Sequence, residues 1–174
     1  MMAAQAGNVI LISWIVFIVV WLIAALKVKP VETKENRASN VVRRVVALFG
    51  VALLFGWNSG LRRLDTRFIP LSSTTVLVGL VMTVAGICLA FWARYHLGQN
   101  WGMTGTVRVG HEWVRTGPYA FIRHPIYVGI GVALGGTALE MGRWGAMVGV
   151  VIIILTFWSR ARAESSFLAG RFGD

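Results

Sequence analysis

The segment from Val9 to Leu26 reads VILISWIVFIVVWLIAAL and contains no charged residue. A helix rises ~1.5 Å per residue, so a run of this length can cross a hydrocarbon core of ~30 Å. No Lys or Arg precedes it, so it lacks the positively charged start that a signal peptide needs. The segment therefore predicts a retained membrane anchor.

Four further apolar segments extend this prediction to an all-α integral membrane protein with about five transmembrane helices, folded as a single domain, 1–174. Composition agrees, because 56% of the residues are hydrophobic and only 14% are charged, which is less charge than a soluble domain of this size usually carries. The predicted helices span residues 9–26, 41–60, 71–93, 126–142 and 144–159.

The last two predicted helices form a tight hairpin around Gly142 and Arg143. Both are close to the lower length limit for a span, so they either cross the bilayer thinly or form a re-entrant pair buried in protein. The second predicted helix, 41–60, is weaker, because Arg43 and Arg44 must extend towards the membrane surface.

Lys and Arg side chains are distributed unevenly between the two sides of this predicted topology. Thirteen of the 17 flank the side that holds the loop 94–125 and the tail 160–174, and four flank the other side. Positive charge accumulates on the cytoplasmic side of membrane proteins. We therefore expect a cytoplasmic loop and C-terminus, an N-terminus outside, and a location in the inner (plasma) membrane of a prokaryote.

The net charge of +10 does not indicate a nucleic-acid partner, because the cations flank the predicted helices instead of forming a basic patch on a soluble domain. The single cysteine, Cys88, lies inside an apolar run and cannot form an intrachain disulfide. No spacing of Cys and His suggests metal ligands, so no metal ion is expected.

Small residues recur at helix-packing spacing on both arms of the predicted hairpin, at Gly131 and Gly135 and at Gly145 and Gly149. Because glycine lets helices approach closely in lipid, we expect these pairs to mark helix contacts. Tryptophans near the ends of apolar segments commonly belong to the aromatic belt at the membrane surface. The belt is therefore one assignment for Trp14, Trp21, Trp92 and Trp158.

Residues 115–129, RTGPYAFIRHPIYVG, place a dense polar and aromatic cluster directly before an apolar helix. Arg123 offers a planar fork of donors for a carboxylate or phosphate. Tyr119 and Tyr127 can stack on a flat ring or face a cation. The cluster suits a charged or zwitterionic small molecule on the water side and an apolar partner on the bilayer side.

A helical hairpin returns the chain to the side that it left, so Glu164 is expected to lie near Arg123 and His124. There it could pair with the arginine, bind a hydroxyl or accept a proton. Simpler explanations stay open. An Arg-His pair before a membrane helix is often only a positive flank, Pro125 suits the first position of any helix, and Glu164 among arginines is commonly a surface ion pair.

The cluster GPYAFIRHPIYVG, with LGQNWG at 97–102 and HEWVRT at 111–116 before it, resembles the isoprenylcysteine carboxyl methyltransferase family, a group related to membrane phospholipid N-methyltransferases. The resemblance covers the C-terminal half of the chain. The matching positions are Leu97, Gly98, Trp101, His111, Gly117, Pro118, Tyr119, Arg123, His124, Pro125, Tyr127, Glu164, Phe172 and Gly173.

The resemblance implies that S-adenosylmethionine binds, without a Rossmann domain, in a cytosol-facing pocket formed by the loop 94–125 and the tail 160–174. It also implies that Arg123 and Glu164 complete this pocket beside the transfer site as catalytic residues. The cofactor-binding residues that it implies are His111, Tyr119, His124, Pro125 and Tyr127.

The implied reaction is methyl transfer to a lipophilic substrate from the bilayer, at a carboxylate of the isoprenylcysteine type. Transfer to a lipid amine remains an alternative, as does an NADPH-dependent membrane reductase of sterol-like substrates. A catalytically silent membrane scaffold is the non-enzymatic alternative. Ser165 motivates it, because this serine stands where the family usually has a second glutamate.

Overall fold

The computed structural model describes residues 2–26, 37–56, 63–98 and 116–172, with side chains described for 4–26, 41–56, 63–98 and 116–162. These residues form an all-helical protein, which confirms the predicted fold class. A short 3-10 turn, Gly117–Ala120, precedes the helical hairpin. The helices are α1 Met2–Ala25, α2 Arg37–Leu54, α3 Ser73–Leu97, α4 Pro125–Met141 and α5 Trp144–Phe172.

Three helices are long and apolar enough to cross a membrane, over Ala4–Ala25, Ser73–Leu97 and Trp144–Arg162. The apolar helix α4 is shorter, at Pro125–Met141, as the length of its segment predicts. In place of the helix predicted over 41–60, the structure has α2 at Arg37–Leu54. The observed helix begins and ends earlier than predicted. Its arginines lower its apolar character, which explains why it is not among the three spanning helices found in the described ranges.

Local sequence accounts for several helix ends. The hydroxyl oxygen of Ser72 accepts a hydrogen bond from the backbone N–H of Thr75 at 3.1 Å and caps the start of α3. Pro125 occupies the first position of α4, where no backbone N–H is needed. Gly142 ends α4 in the left-handed region with φ of 64°, a conformation that glycine adopts without steric penalty.

The most extensive helix contact joins α3 and α4, which run antiparallel. A Cβ atom placed on Gly86 would lie 2.5 Å from the carbonyl oxygen of Gly129, and one on Gly79 would lie 2.7 Å from that of Gly136. No real side chain fits at these distances. The absence of side chains therefore allows the two backbones to touch over two helical turns.

Only some of the glycines that were predicted to mark helix contacts lie in such contacts. A Cβ atom on Gly131 would meet nothing within 4 Å, and one on Gly135 would meet only the Met82 Cε atom at 3.9 Å. The prediction that these two glycines mark a close helix contact is therefore wrong. Gly149 does pack closely, but against Gly50 of α2 and not against the other arm of the hairpin. The face of α4 that meets α3 is set by residues seven apart, which the four-residue spacing does not select.

Of the four tryptophans, Trp14 is 9% exposed and lies in the core of the bundle, so its assignment to the aromatic belt is wrong. Trp21 is partly buried and stacks on Phe17 with ring centroids 4.9 Å apart. Trp92 and Trp158 are half exposed, as residues of an aromatic belt would be.

The segment 63–72 crosses over the turn between α4 and α5. The backbone N–H groups of Trp144 and Gly145 donate to the carbonyl oxygens of Thr66 and Leu64 at 3.1 and 2.7 Å. The first N–H groups of a helix have no partner within the helix. The segment therefore caps α5 and fixes the predicted hairpin turn at Gly142 and Arg143.

Candidate functional site

The turn Gly117–Ala120 packs on the C-terminal end of α3 through one glycine. Gly117 has φ of 59°, and a Cβ atom there would lie 2.5 Å from the His96 Nε2 atom. Any side chain would therefore both strain the backbone and displace the imidazole. Pro118 is buried beneath this turn, and its carbonyl oxygen accepts hydrogen bonds from the N–H groups of Phe121 and Ile122 at 3.3 and 3.0 Å.

Arg94 joins the C-terminal ends of two helices beside the same turn. Its Nη1 atom donates to the carbonyl oxygen of Gly98 at 2.6 Å, and its Nη2 atom donates to that of Ala24 on α1 at 3.1 Å. A cation at these positions interacts favourably with the carbonyl ends of both helices. Tyr119, which is partly buried, lies within electrostatic range of the guanidinium. The α1 helix is thus tied to the end of the bundle that carries the cluster.

Three rings stack from the start of α4 across to α5. The imidazole of His124 stacks on Tyr127 with centroids 5.7 Å apart and planes at 26°. Tyr127 in turn stacks on Phe157 of α5 with centroids 5.2 Å apart and planes at 19°. We call this set the three-ring stack. It holds the Arg-His-Pro turn against the helix that continues towards Glu164.

Burial lowers the pKa of His124, and the neighbouring Arg123 guanidinium lowers it further. Both effects disfavour the imidazolium form. His124 is therefore neutral at neutral pH, and one ring nitrogen is available to accept a hydrogen bond.

The structure brings together some of the predicted site residues. His124, Pro125 and Tyr127 lie together at the start of α4, with Pro125 fully buried. Arg123 directly precedes them and is exposed. Tyr119 lies at the same end of the bundle, in the turn that packs on α3.

The side chains of two predicted site residues, His111 and Glu164, lie outside the described part of the chain. His111 lies outside the described residues. The backbone of Glu164 lies on α5, which continues past the predicted end at Ser159 to Phe172, and its side chain is outside the described part. Glu164 follows Phe157 by two turns, or ~10 Å along the axis. Its backbone therefore lies at the same end of the bundle as the His124 turn, and its closeness to Arg123 and its catalytic role remain predictions.

Two arginines on α5 lie near this end and were not predicted as site residues. The Arg162 guanidinium lies 3.8 Å from the centroid of the Trp158 ring, a cation–π geometry. The Nε atom of Arg160 is buried, and no hydrogen-bond partner for it occurs in the described ranges. Arg160 follows Phe157 by three residues and so shares its helix face. In the sequence these arginines were counted only as membrane-flanking charge, because helix register cannot be read without the Tyr127–Phe157 contact.

Comparison with known proteins identifies one family. The sequence model of the isoprenylcysteine carboxyl methyltransferase family matches residues 77–170, which include most of α3, the 3-10 turn, α4 and most of α5. The match confirms the resemblance drawn from the sequence motifs. No significant relative is found among the curated proteins.

Proposed function

Because the chain belongs to the isoprenylcysteine carboxyl methyltransferase family, a family of membrane methyltransferases, we propose that it transfers a methyl group from S-adenosylmethionine to a lipophilic acceptor in the bilayer. The observation that carries the proposal is the three-ring stack. It joins the Arg-His-Pro turn to α5 at one end of a bundle whose helices expose many large apolar side chains.

The residues at this end fit the chemistry of S-adenosylmethionine, which has a carboxylate, a flat adenine ring and a sulfonium cation. The rings of His124 and Tyr127 provide flat surfaces, and aromatic faces also attract cations. The buried Nε atom of Arg160 is a donor without a described partner, which suits an anionic group. The residues proposed to hold the cofactor are His111, Tyr119, His124, Pro125 and Tyr127.

When bound, S-adenosylmethionine would supply an electrophilic methyl group to an in-line nucleophile. The protein must therefore align the acceptor and keep water away from it. A carboxylate acceptor needs no base, and Arg123 would orient it through its planar guanidinium. An amine acceptor must first lose a proton, and Glu164 would then accept that proton.

An acceptor from the bilayer is supported by the apolar surface around the site. Phe121, in the loop between the turn and α4, is 89% exposed, and Trp158 on α5 is 53% exposed. Side chains of this kind lie favourably at the boundary between acyl chains and headgroups. We therefore propose lateral access for the substrate and favour a carboxylate of the isoprenylcysteine type.

The test is methyl transfer in membranes that contain the protein. Membranes are incubated with radiolabelled S-adenosylmethionine, and the extracted lipids are treated with alkali. Label released by alkali indicates an ester, whereas stable label indicates transfer to an amine. Arg123→Ala should abolish labelling, and Arg63→Ala, an exposed arginine at the other end of the bundle, should leave it unchanged. Absence of cofactor binding by calorimetry on the purified protein would refute the proposal.

A further inference from the structure

A cavity lies at the end of the bundle opposite the three-ring stack. Its volume is about 390 Å³, and it opens between the end of α2, the segment 63–72 and the turn from α4 to α5. This volume is within the range of small-molecule sites. The 17 residues of α4 separate the two ends, a distance of ~25 Å along the helix axis. The cavity is therefore not part of the proposed transfer site.

Three charged residues line this otherwise apolar cavity: Arg67, Glu140 and Arg143. The backbones of Arg67 and Arg143 pair in an isolated antiparallel bridge, so the two arginine side chains start from adjacent backbone positions. The Nη1 atom of Arg143 donates to the Asp65 Oδ1 atom at 3.0 Å, which holds that side chain in one direction.

Glycines leave room around these charged groups. A Cβ atom on Gly56 would lie 3.5 Å from the Arg143 Nη1 atom, and one on Gly142 would lie 3.6 Å from the Arg67 Nη1 atom. Both glycines have positive φ values. The guanidinium groups of Arg143 and Arg67 therefore lie close to the backbone of these two glycines.

Glu140 is the acidic group of the cavity. It lies in the last turn of the apolar helix α4 and is partly buried, within electrostatic range of Arg67. Its Oε1 atom is 3.7 Å from the position that a Cβ atom on Gly7 of α1 would take. A carboxylate at the end of a membrane helix is unfavourable unless it has a partner, and such residues commonly mark binding sites.

We propose that this cavity binds the headgroup of a membrane phospholipid that carries both a phosphate and a primary ammonium group. The planar guanidinium groups of Arg67 and Arg143 match phosphate oxygens, and Glu140 accepts hydrogen bonds from the ammonium group. A headgroup with a phosphate and no cation would leave the carboxylate facing negative charge. A quaternary ammonium has no N–H to donate to it.

The apolar lining supports a lipid as the source of this headgroup. Phe55 and Leu71 line the cavity and are 49% and 45% exposed, so they continue its wall onto the outer surface of the bundle. Val51, one helical turn before Phe55 on α2, is also exposed. Acyl chains can therefore leave the cavity along α2 while the headgroup stays beside the charged residues.

The test measures lipid binding to the purified full-length protein in detergent by native mass spectrometry. Phosphatidylethanolamine, phosphatidylglycerol and phosphatidylcholine with identical acyl chains are compared. We expect phosphatidylethanolamine to bind about tenfold more tightly than either of the others, the ratio expected for one charge-assisted hydrogen bond. Equal binding of phosphatidylglycerol would overturn the proposal, as would equal binding of the water-soluble glycerophosphoethanolamine, which would assign the cavity to a soluble ligand.

Two variants separate the roles of the charges. Arg67→Gln should weaken binding of phosphatidylethanolamine about tenfold, while Arg63→Gln in the same segment should not change it. Glu140→Gln should remove the preference for phosphatidylethanolamine over phosphatidylcholine. Unchanged binding in Arg67→Gln, which alters an exposed side chain, contradicts the proposal even if Glu140→Gln fails to fold.

Discussion

The indole N–H of Trp14 on α1 donates a hydrogen bond to the hydroxyl oxygen of Thr137 on α4, with 3.0 Å between the two heavy atoms. Thr137 donates its own hydroxyl hydrogen to the carbonyl oxygen of Ala133 at 2.9 Å. The Thr83 hydroxyl of α3 lies 3.3 Å from that of Thr137. One buried polar cluster therefore connects three helices inside the apolar bundle, which fixes their rotation about their own axes.

We expect Thr137→Val to destabilise the protein by about 1–3 kcal/mol, because the buried indole N–H of Trp14 is then left without a partner. Trp14→Phe should be milder, since it removes the donor and leaves a hydroxyl that still bonds to its own helix. Thermal unfolding in detergent measures both. The double variant should be less destabilised than the sum of the two single variants, and strict additivity would mean that the bond contributes nothing. Trp158→Phe, at an exposed position, is the control.

Gly86→Ala should destabilise the protein severely, by about 2 kcal/mol or more, because its methyl group would meet the backbone of Gly129. Gly131→Ala is the matched control on α4, where a Cβ atom meets nothing within 4 Å. That change should be neutral or slightly stabilising, since alanine favours helix by about 1 kcal/mol over glycine. Thermal unfolding of the two purified variants is compared. Equal effects would disprove the backbone contact.

Gly117→Ala should weaken cofactor binding, because the added methyl group displaces the His96 ring and with it the turn that carries Tyr119. Gly98→Ala is the control for backbone strain alone. Gly98 also has a positive φ, of 53°, but a Cβ atom there meets nothing within 4 Å. Calorimetric titration with S-adenosylmethionine should show the larger loss of affinity for Gly117→Ala, by about tenfold for ~1.4 kcal/mol. A larger loss for Gly98→Ala would contradict this account.

The lowered pKa of His124 predicts a loss of stability in mild acid. In the unfolded chain a histidine titrates near ~6.5, whereas in the folded protein burial and Arg123 hold its pKa lower. Below pH ~6.5 the unfolded state therefore binds more protons than the folded state, and stability falls until the folded pKa is also passed. Well above pH ~6.5 His124 is neutral in both states, so it contributes no pH dependence to the stability.

The measurement is thermal unfolding in detergent between pH 5 and 8 at constant ionic strength. His124→Gln should flatten the dependence below pH ~6.5. Arg123→Gln should reduce it, because one of the two causes of the lowered pKa is removed. A slope that is the same in His124→Gln as in the parent protein would show that other groups produce it.

The family and the helical hairpin could be predicted from the chain itself. The motif around Arg123 and His124 indicated the family, and the break at Gly142 indicated the hairpin of α4 and α5. The sequence did not indicate that Phe157 would complete the three-ring stack or that Arg160 would share its helix face. Both depend on the register between α4 and α5, which a pair of featureless apolar helices leaves open.

What the sequence alone determined is the set of helices, because a backbone in hydrocarbon must satisfy its own hydrogen bonds and a long uncharged run can do so only as a helix. What the tertiary structure decided is the face that each helix presents. Gly129 and Gly136 pack on α3 while Gly131 does not, and Trp14 points inward although its segment is apolar all round. In lipid the apolar side chains of every face are equally well solvated. Only the contacts of neighbouring helices, through small residues and buried hydrogen bonds, select one rotation over the others.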